Sequence, residues 1–113
     1  MARYYDSMRE LVGNTPLVRL HNVGAPEGVR LFAKLELWNP AGSVKDRTGV
    51  FMVEQAEKGG LLAPGSTIVE GTAGNMGLGI AFAAIGKGYH VVFVVPEKFS
   101  QEKQTLMRAL GAK

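Results

Sequence analysis

The sequence predicts an α/β fold with a parallel sheet that carries helices on both faces. Two observations support this prediction. Short apolar runs alternate with segments of helical periodicity, and one run, Val91–Val95, contains only β-branched and aromatic residues. Such runs are typical of parallel strands that are buried on both faces. With 113 residues, of which 46% are hydrophobic and 20% charged, the chain has the size and composition of one globular domain.

The first third of the chain is predicted to contain one strand and little other regular structure. In chain order it reads as a short helix, a turn, an extended segment, a loop and a strand, at Tyr4–Leu11, Gly13–Pro16, Leu17–Leu20, Asn22–Gly28 and Val29–Leu37. The strand is predicted because apolar residues alternate along it with a more polar set. Residues 38–42, which include a proline and a glycine, end the strand.

A helix is predicted to begin at Ser43. Ser43 and Asp46 have the spacing of a capping box, in which the Ser43 side chain accepts from the N–H of Asp46 and the Asp46 carboxylate reaches back to the N–H of Ser43. The helix should run to about Lys58, where Gly59 and Gly60 provide a left-handed stop.

The rest of the chain alternates strands with helices. Two predicted strands, Thr67–Glu70 and His90–Val95, each precede a predicted helix, at Asn75–Lys87 and Ser100–Leu110. Strand and helix therefore alternate from Val29 onward, which favours a parallel sheet joined by crossover helices.

The composition argues against several classes of partner. The 13 basic residues are interspersed with 10 acidic ones, for a net charge of +3, whereas nucleic acids are bound by basic residues gathered on one face. The chain has no cysteine, which excludes a disulfide framework and a thiolate metal site. His21 and His90 have no partner at metal-ligand spacing, so no metal site is predicted.

No targeting or membrane segment is expected. The first nine residues lack the apolar stretch of a secretory leader, and the longest apolar run is far shorter than a membrane span. We therefore expect a cytoplasmic protein with no membrane partner.

Two strand-to-helix junctions are the places where a ligand could bind, because unpaired N–H groups and the helix dipole favour anions there. In the first junction, Lys45 lies in the first turn of its helix, where the positive end of the dipole favours a neutral amine over an ammonium group. A neutral lysine amine can form a covalent bond with a carbonyl group. The position also fits a solvated lysine at a helix start, and the local pattern leaves both interpretations open.

The second junction, residues 70–77, joins a predicted strand to a predicted helix. Thr72, Ala73, Gly74 and Asn75 would form a cradle for a carboxylate or phosphate, and neighbouring glycines allow close approach of the backbone. Simple packing would use the same glycines. The dinucleotide-binding fingerprint and the P-loop pattern both fail in this chain.

Three segments together resemble a known family. "LVGNTPLVRL" at Leu11–Leu20, "NPAGSVKDR" at Asn39–Arg47 and "EGTAGNMGLGIA" at Glu70–Ala81 have the order and spacing of fold-type II pyridoxal-phosphate enzymes. The chain is similar to the branch that contains cysteine synthase and cystathionine β-synthase. The segment "VPEKFSQEKQ" at Val95–Gln104 resembles bacterial enzymes that make cystathionine from O-acetylserine and homocysteine.

The resemblance implies a role for each junction. Lys45 would hold pyridoxal 5'-phosphate covalently, and Asn75 would form a hydrogen bond with the hydroxyl group of the cofactor ring. The loop that holds the α-carboxylate of the substrate would be Thr72, Ala73, Gly74, Asn75 and Met76.

The reaction implied by the resemblance is β-replacement on O-acetylserine or a similar serine derivative. Lys45 would remove the α-proton, a leaving group would depart from the β-carbon, and sulfide or homocysteine would attack there, giving cysteine or cystathionine. Two alternatives stay open: β-replacement with an amine nucleophile, and a non-catalytic module that binds an anion or a peptide. The implied partners are the amino-acid substrate and a thiol or sulfide.

Two departures from the family bear on this expectation. Met76 stands where the family usually has threonine, and the loss of one hydrogen bond to the substrate carboxylate would weaken binding by roughly 1.5 to 3 kcal/mol. The segment that holds the cofactor phosphate lies downstream of Lys113 in the family. We therefore expect the isolated chain to bind cofactor weakly and to be inactive.

The resemblance also implies a division of the chain. Residues 1–38 would be a lead-in that belongs to the large domain, and residues 39–113 would be a small mobile α/β domain with the cofactor lysine and the carboxylate loop. The full-length enzyme is expected to be a homodimer.

Overall fold

The computed structural model describes residues 4–72 and 74–113. Their helices are two short 3-10 turns, Met8–Leu11 and Glu36–Trp38, and three α-helices, α1 (Lys45–Lys58), α2 (Asn75–Ala84) and α3 (Gln101–Ala109). Their strands are β1 (Leu17–Leu20), β2 (Leu31–Lys34), β3 (Thr67–Gly71) and β4 (His90–Val94). The α/β class predicted from the sequence is confirmed.

A parallel pair of strands carries the second half of the fold. β3 and β4 pair in parallel over their whole length, and α2 forms the crossover between them. On the other edge of β4, the N–H of Lys113 donates to the carbonyl of Val91 (2.9 Å), and the N–H of Phe93 donates to the carbonyl of Lys113 (2.8 Å). This bonding pattern is that of a parallel pairing on the second edge of β4.

The predicted strand Val29–Leu37 is shorter than expected and does not join the parallel sheet. Only Leu31–Lys34 forms a strand, and it pairs antiparallel with β1. Leu35 leaves the extended conformation, with a ψ of 77°, and a 3-10 turn follows it. The alternating pattern predicts the strand β2. Its partner is β1, because the loop at 21–30 returns the chain alongside β1.

The predicted helix Tyr4–Leu11 is limited to a single 3-10 turn at Met8–Leu11. Ser7 and Glu10 form a reciprocal capping box at its start, and this capping fixes the first turn at that position. The residues before Ser7 therefore add no helical turn.

The helices that follow have nearly the predicted bounds. α1 ends at Lys58, and Gly60 has the left-handed φ of +72° expected of a stop. α2 ends at Ala84, earlier than the predicted Lys87, because Ile85 leaves the helical conformation with a ψ of 131°.

The apolar core lies between α2, α3 and β4. Its buried members are Leu78, Ala84, Val91, Met107 and Ala112. Most residues of α2 are buried, and most of these are small, so neighbouring elements can approach the helix closely. The core therefore fixes the helix that follows the second predicted ligand junction.

Candidate functional site

The two predicted ligand junctions are connected by the packing of α1 against α2. Gly49 of α1 and Gly79 of α2 are both buried. A Cβ atom built on Gly49 would overlap the carbonyl group of Gly79 and lie 2.7 Å from the nitrogen of Ile80. A Cβ atom built on Gly79 would lie 2.8 Å from the carbonyl carbon of Lys45. The two helices are therefore in main-chain contact beside Lys45, at what we call the glycine crossing (Gly49 and Gly79).

Lys45 is the first residue of α1 and is exposed. Its N–H donates to Ser43 Oγ at 3.1 Å, whereas the sequence prediction gave that hydroxyl to the N–H of Asp46. The N–H of Asp46 donates instead to the main-chain carbonyl of Ser43 at 3.2 Å. The Ser43 side chain thus fixes the main chain of the candidate cofactor lysine itself.

Asp46 is fully buried, with 0% of its surface exposed. Its Oδ2 accepts from the N–H of Ala41 at 2.5 Å, and its Oδ1 has no hydrogen-bond partner among the described residues. Burial raises the pKa of this carboxyl group, because the loss of hydration penalises the charged form. The half of the predicted capping box that uses the Ser43 side chain is wrong, because Ser43 Oγ accepts from Lys45. The main-chain N–H of Ser43 still acts on the Asp46 carboxyl group and lowers its pKa, though less than burial raises it. Asp46 also ties the loop before Lys45 to the first turn of α1.

An ion pair connects α1 to the segments that precede it. Arg47 donates from Nε to Glu36 Oε2 (2.8 Å) and from Nη2 to Glu36 Oε1 (2.9 Å), which makes a bidentate pair. Its Nη2 also donates to the carbonyl of Gly13 at 2.9 Å. Gly13 has a φ of +82°, and a Cβ atom there would lie 2.7 Å from Arg47 Nη1. The backbone conformation at position 13 therefore favours glycine, and a side chain there would displace the guanidinium group of Arg47.

Two buried polar side chains complete this cluster, which we call the Glu36–Arg47 clamp: Gly13, Thr15, Glu36, Asn39 and Arg47. Thr15 Oγ1 donates to Glu36 Oε1 at 2.8 Å, and Asn39 Nδ2 donates to Glu36 Oε2 at 2.9 Å. Asn39 Oδ1 accepts from the N–H of Gly13 at 2.8 Å. The clamp holds the Lys45 end of α1 against the start of the chain, and it crosses the predicted domain boundary between residues 38 and 39.

The clamp predicts an acid-sensitive contribution to stability. Hydrogen bonding to Arg47 lowers the pKa of Glu36 from 4.5 to about 2. Because the folded-state pKa is depressed, the clamp stabilises the fold above pH 4.5, and this stabilisation is lost as the pH falls toward about 2. We expect Glu36→Gln to flatten this part of the pH dependence of the free energy of unfolding, measured with urea at a series of pH values.

Glu57 provides the matched control for this experiment. Hydrogen bonds from Lys87 and Tyr89 lower its pKa too, so Glu57→Gln should remove its own contribution and leave that of Glu36. Asp46, whose pKa is raised, changes the free energy of unfolding with pH in the opposite direction. It does so equally in every variant, so its contribution cancels when the variants are compared. The same pH dependence in the wild type and in Glu36→Gln would contradict the role given to the clamp.

The second junction is organised by Thr72. This residue is buried, with 8% of its surface exposed, and its Oγ1 accepts from the N–H of Gly77 at 3.1 Å. A Cβ atom built on Gly77 would lie 2.5 Å from Thr72 Cγ2, so the close approach requires glycine. The hydroxyl oxygen of Thr72 therefore serves the first turn of α2, which leaves the hydroxyl hydrogen to donate to a ligand.

The other residues predicted for this loop lie at the start of α2. Asn75 is exposed at the first position of the helix, and Gly74 and Met76 on either side are half-buried. Ala73, assigned to the same loop from the sequence, lies outside the described residues. The first N–H groups of a helix have no intrahelical acceptor, so this end of α2 favours an anion. Lys103 Nζ, 3.5 Å from a Cβ atom built on Gly74, adds positive charge there.

This arrangement fits a cofactor that carries a carbonyl group and an anionic or hydroxyl substituent. Lys45 and Asn75 are both exposed first residues of helices, and those helices are in main-chain contact. The lysine provides an amine for a covalent bond, and the asparagine provides an amide that both donates and accepts hydrogen bonds.

Sequence reasoning missed Glu36 and gave no role to Arg47, although Arg47 follows Lys45 closely. The sequence contains a signal for this ion pair: the helix dipole disfavours a cation in the first turn, so an acidic partner is expected for Arg47. Glu36 could not be identified as the partner, because the pairing depends on the unpredicted 3-10 turn at Glu36–Trp38.

Within residues 4–72 and 74–113, no group of three or more histidine, cysteine or acidic side chains is placed to hold a metal ion. In the same part of the chain, no helix has the length and apolar character needed to cross a membrane.

Fold and site together define a class of protein: an α/β fold in which a lysine at one helix start lies beside a second helix whose first N–H groups favour an anion. A family model described as "Pyridoxal-phosphate dependent enzyme" matches residues 8–113. The chain belongs to this family, which confirms the resemblance seen in its motifs and the cofactor that the resemblance implied.

Individual relatives agree with this assignment. The chain is 53% identical over 103 residues to an O-acetylserine dependent cystathionine beta-synthase of Bacillus subtilis, an alignment that covers 91% of this chain and 34% of the relative. It is 48% identical over 107 residues to a cysteine synthase of Staphylococcus aureus, covering 95% of this chain and 34% of the relative. The fold matches the crystal structure of O-acetylserine dependent cystathionine beta-synthase from Helicobacter pylori with a TM-score of 0.89 and 43% identity, covering 98% of this chain and 37% of that one. The chain thus spans about a third of the length of these relatives.

Proposed function

We propose that these residues provide the lysine-bearing part of a pyridoxal-phosphate-dependent β-replacement enzyme that acts on O-acetylserine or a similar serine derivative. The observation that carries the proposal is the exposed Lys45 at the start of α1, packed beside the helix that begins at Asn75. The names of the relatives, an O-acetylserine dependent cystathionine beta-synthase and a cysteine synthase, support this reaction class. Sulfide or homocysteine is the proposed nucleophile, and cysteine or cystathionine is the proposed product.

Each part of the site has a proposed task. The bound cofactor supplies an electron sink for the substrate Cα. Lys45 holds the cofactor and takes the proton from the substrate Cα, for which its amine has to be neutral. Asn75 orients the cofactor ring through a hydrogen bond to the ring hydroxyl. The N–H groups at the start of α2 and the Thr72 hydroxyl hold the substrate carboxylate, as expected of an anion site at a helix N-terminus.

Met76 keeps one alternative reaction in view. Its half-buried thioether lies in the first turn of α2 and offers no hydrogen-bond donor, so the carboxylate has to rely on main-chain N–H groups and Thr72. A substrate that needs no side-chain hydrogen bond at position 76 would also fit this site. β-Replacement with an amine nucleophile is therefore the second candidate function.

We further propose that the full-length enzyme is a cytoplasmic homodimer, with residues 1–38 in its large domain and residues 39–113 in a small mobile domain. The Glu36–Arg47 clamp spans that boundary. If the boundary is correct, movement of the small domain has to break or rotate the clamp.

The experiment that tests the proposed function is a Lys45→Arg substitution. At high concentrations of pyridoxal phosphate, we expect the wild-type chain to develop a yellow absorbance that borohydride removes. Lys45→Arg and Lys45→Ala should both reduce it to the background given by the other lysines, because neither side chain at position 45 offers an amine that can lose its proton and attack a carbonyl group.

A non-catalytic anion-binding module would behave differently, since arginine keeps the positive charge. Retention of ligand affinity by Lys45→Arg would therefore favour the module over the enzyme. Lys58→Arg is the matched control: Lys58 is also exposed and lies at the opposite end of α1, so this variant should behave as the wild type does.

A further inference from the structure

We propose that the glycine crossing is the device that positions Lys45, and that Gly79 and Asp46 are positioning residues for the reaction. This inference rests on the proposed function, because it concerns the placement of the proposed cofactor lysine. It assigns a role to two residues that do not themselves offer a group to the cofactor or the substrate.

Gly79 sets the approach of Lys45 to the second junction. A Cβ atom on Gly79 would overlap the carbonyl oxygen of Lys45 and lie 3.3 Å from the nitrogen of Asp46. Gly79 lies four residues after Asn75 on α2, a spacing that places both on one face of the helix. Any side chain at position 79 would therefore push the first turn of α1 away from the face that carries Asn75.

The contact at the glycine crossing also requires glycine on α1. Gly49 lies four residues after Lys45 on α1, on the same face, and its Cα faces the carbonyl group of Gly79. A leucine or alanine at either position would give a higher helix propensity than glycine. Glycine at both positions is thus explained by the need for main-chain contact, and this contact falls within one turn of Lys45.

Asp46 holds Lys45 from the other side. Its buried Oδ2 accepts from the N–H of Ala41, which fixes the loop that leads into Lys45. Its second oxygen is buried without a partner among the described residues, and burying an unpaired carboxylate oxygen costs stability. Asp46 is the second residue of α1, so the contact that fixes this loop is adjacent to Lys45 in the chain.

Packing alone predicts a different outcome from positioning. If the crossing only stabilises the fold, a substitution there should change the behaviour of Lys45 solely through the fraction of unfolded chain. If it positions Lys45, the folded protein should present a displaced lysine, and a displacement of about 1 Å can cost up to about 100-fold in reactivity.

The test compares Gly79→Ala with Val91→Ala in the 113-residue chain. Val91 is buried in the core between α2, α3 and β4, so its truncation destabilises the fold without touching α1. Two quantities are measured at equal fractions of folded protein: amide hydrogen exchange along the chain, and the share of borohydride-trapped pyridoxal phosphate that is found on Lys45.

We expect Gly79→Ala to accelerate exchange selectively in the first turns of α1 and α2, and to lower the Lys45 share of the trapped label by about tenfold. Val91→Ala should keep the wild-type share and show a more uniform change in exchange. Exchange and labelling in Gly79→Ala that match those of Val91→Ala would overturn the inference.

If Gly79→Ala does not fold, two variants of Asp46 test whether the contacts around Lys45 position it. Asp46→Asn retains an oxygen that can accept from the Ala41 N–H, and it should keep the wild-type share of label on Lys45. Asp46→Ala removes the acceptor and should lower that share. Equal shares in both variants would overturn the inference.

Failure of the proposed function is distinguishable from failure of this inference. A wild-type chain with no preference for Lys45 among its lysines would contradict the proposed function. The exchange measurement would still report on the crossing, because it requires no cofactor.

Discussion

Substitution of Gly49 by leucine is expected to lower the free energy of unfolding of the chain by about 3 kcal/mol. The new side chain would begin with a Cβ atom that overlaps the Gly79 carbonyl group and lies 2.7 Å from the Ile80 nitrogen. These are main-chain atoms of a buried helix, which cannot move aside as a flexible side chain can. Overpacking of a well-packed site typically costs about 1 to 3 kcal/mol, and main-chain atoms that cannot move aside place this site at the upper end. Such a loss is a large part of the stability of a small domain. Circular dichroism during urea titration measures the effect.

Helix propensity alone predicts that Gly49→Leu stabilises the fold, whereas the contact with α2 predicts that it destabilises the fold. The sign of the change in the free energy of unfolding therefore distinguishes the two. Leucine in place of a mid-helix glycine should stabilise an isolated helix by about 0.8 kcal/mol. Thr48→Leu is the matched control, since Thr48 is exposed at the preceding position of the same helix. It should be neutral or mildly stabilising. A Gly49→Leu variant as stable as the wild type would show that α1 and α2 are not in main-chain contact.

The second large effect concerns turnover. We expect the isolated 113 residues to convert no O-acetylserine above the uncatalysed rate. A chimera that continues after Lys113 with the corresponding remainder of the Bacillus subtilis relative should be active. Two arguments support this. In the family that the motifs resemble, the cofactor phosphate is held downstream of Lys113, and the chain spans about a third of its relatives.

Exposed apolar side chains support the same expectation. Leu37, Trp38, Phe51 and Leu61 are between 62% and 81% exposed, so a further surface packed over them would bury large apolar side chains. Turnover is measured as the formation of cysteine from O-acetylserine and sulfide. The chimera carrying Lys45→Ala is the control and should be inactive. Turnover by the isolated chain that depends on Lys45 would contradict this prediction.

The elements that could be predicted from the sequence are those with strong local signals. α1 was predicted to end at Lys58, where a glycine pair follows, and β4 was marked by its apolar β-branched run. Periodicity and capping residues act within a few positions of each other, so one sequence is enough to reveal them. The parallel pairing of β3 with β4 follows from the helix between them.

The parts that could not be predicted depend on distant contacts. The antiparallel pairing of β2 with β1 and the ion pair of Glu36 with Arg47 join segments whose local patterns say nothing about each other. The same holds for the glycine crossing, where Gly49 and Gly79 look like helix-weakening residues until the second helix is in place. Asp46 was predicted to make a local cap, and the additional hydrogen bond of its buried carboxylate with the Ala41 N–H was not predicted.

Borohydride trapping followed by peptide mapping determines whether Lys45 is the lysine that binds the cofactor. The chain is incubated with pyridoxal phosphate, reduced and digested, and the label on each lysine is measured by mass spectrometry. We expect the peptide containing Lys45 to carry most of the label, well above the peptides containing Lys58 and Lys103. Label spread evenly over the lysines, with the same total in Lys45→Ala, would mean that Lys45 is a solvated lysine at a helix start.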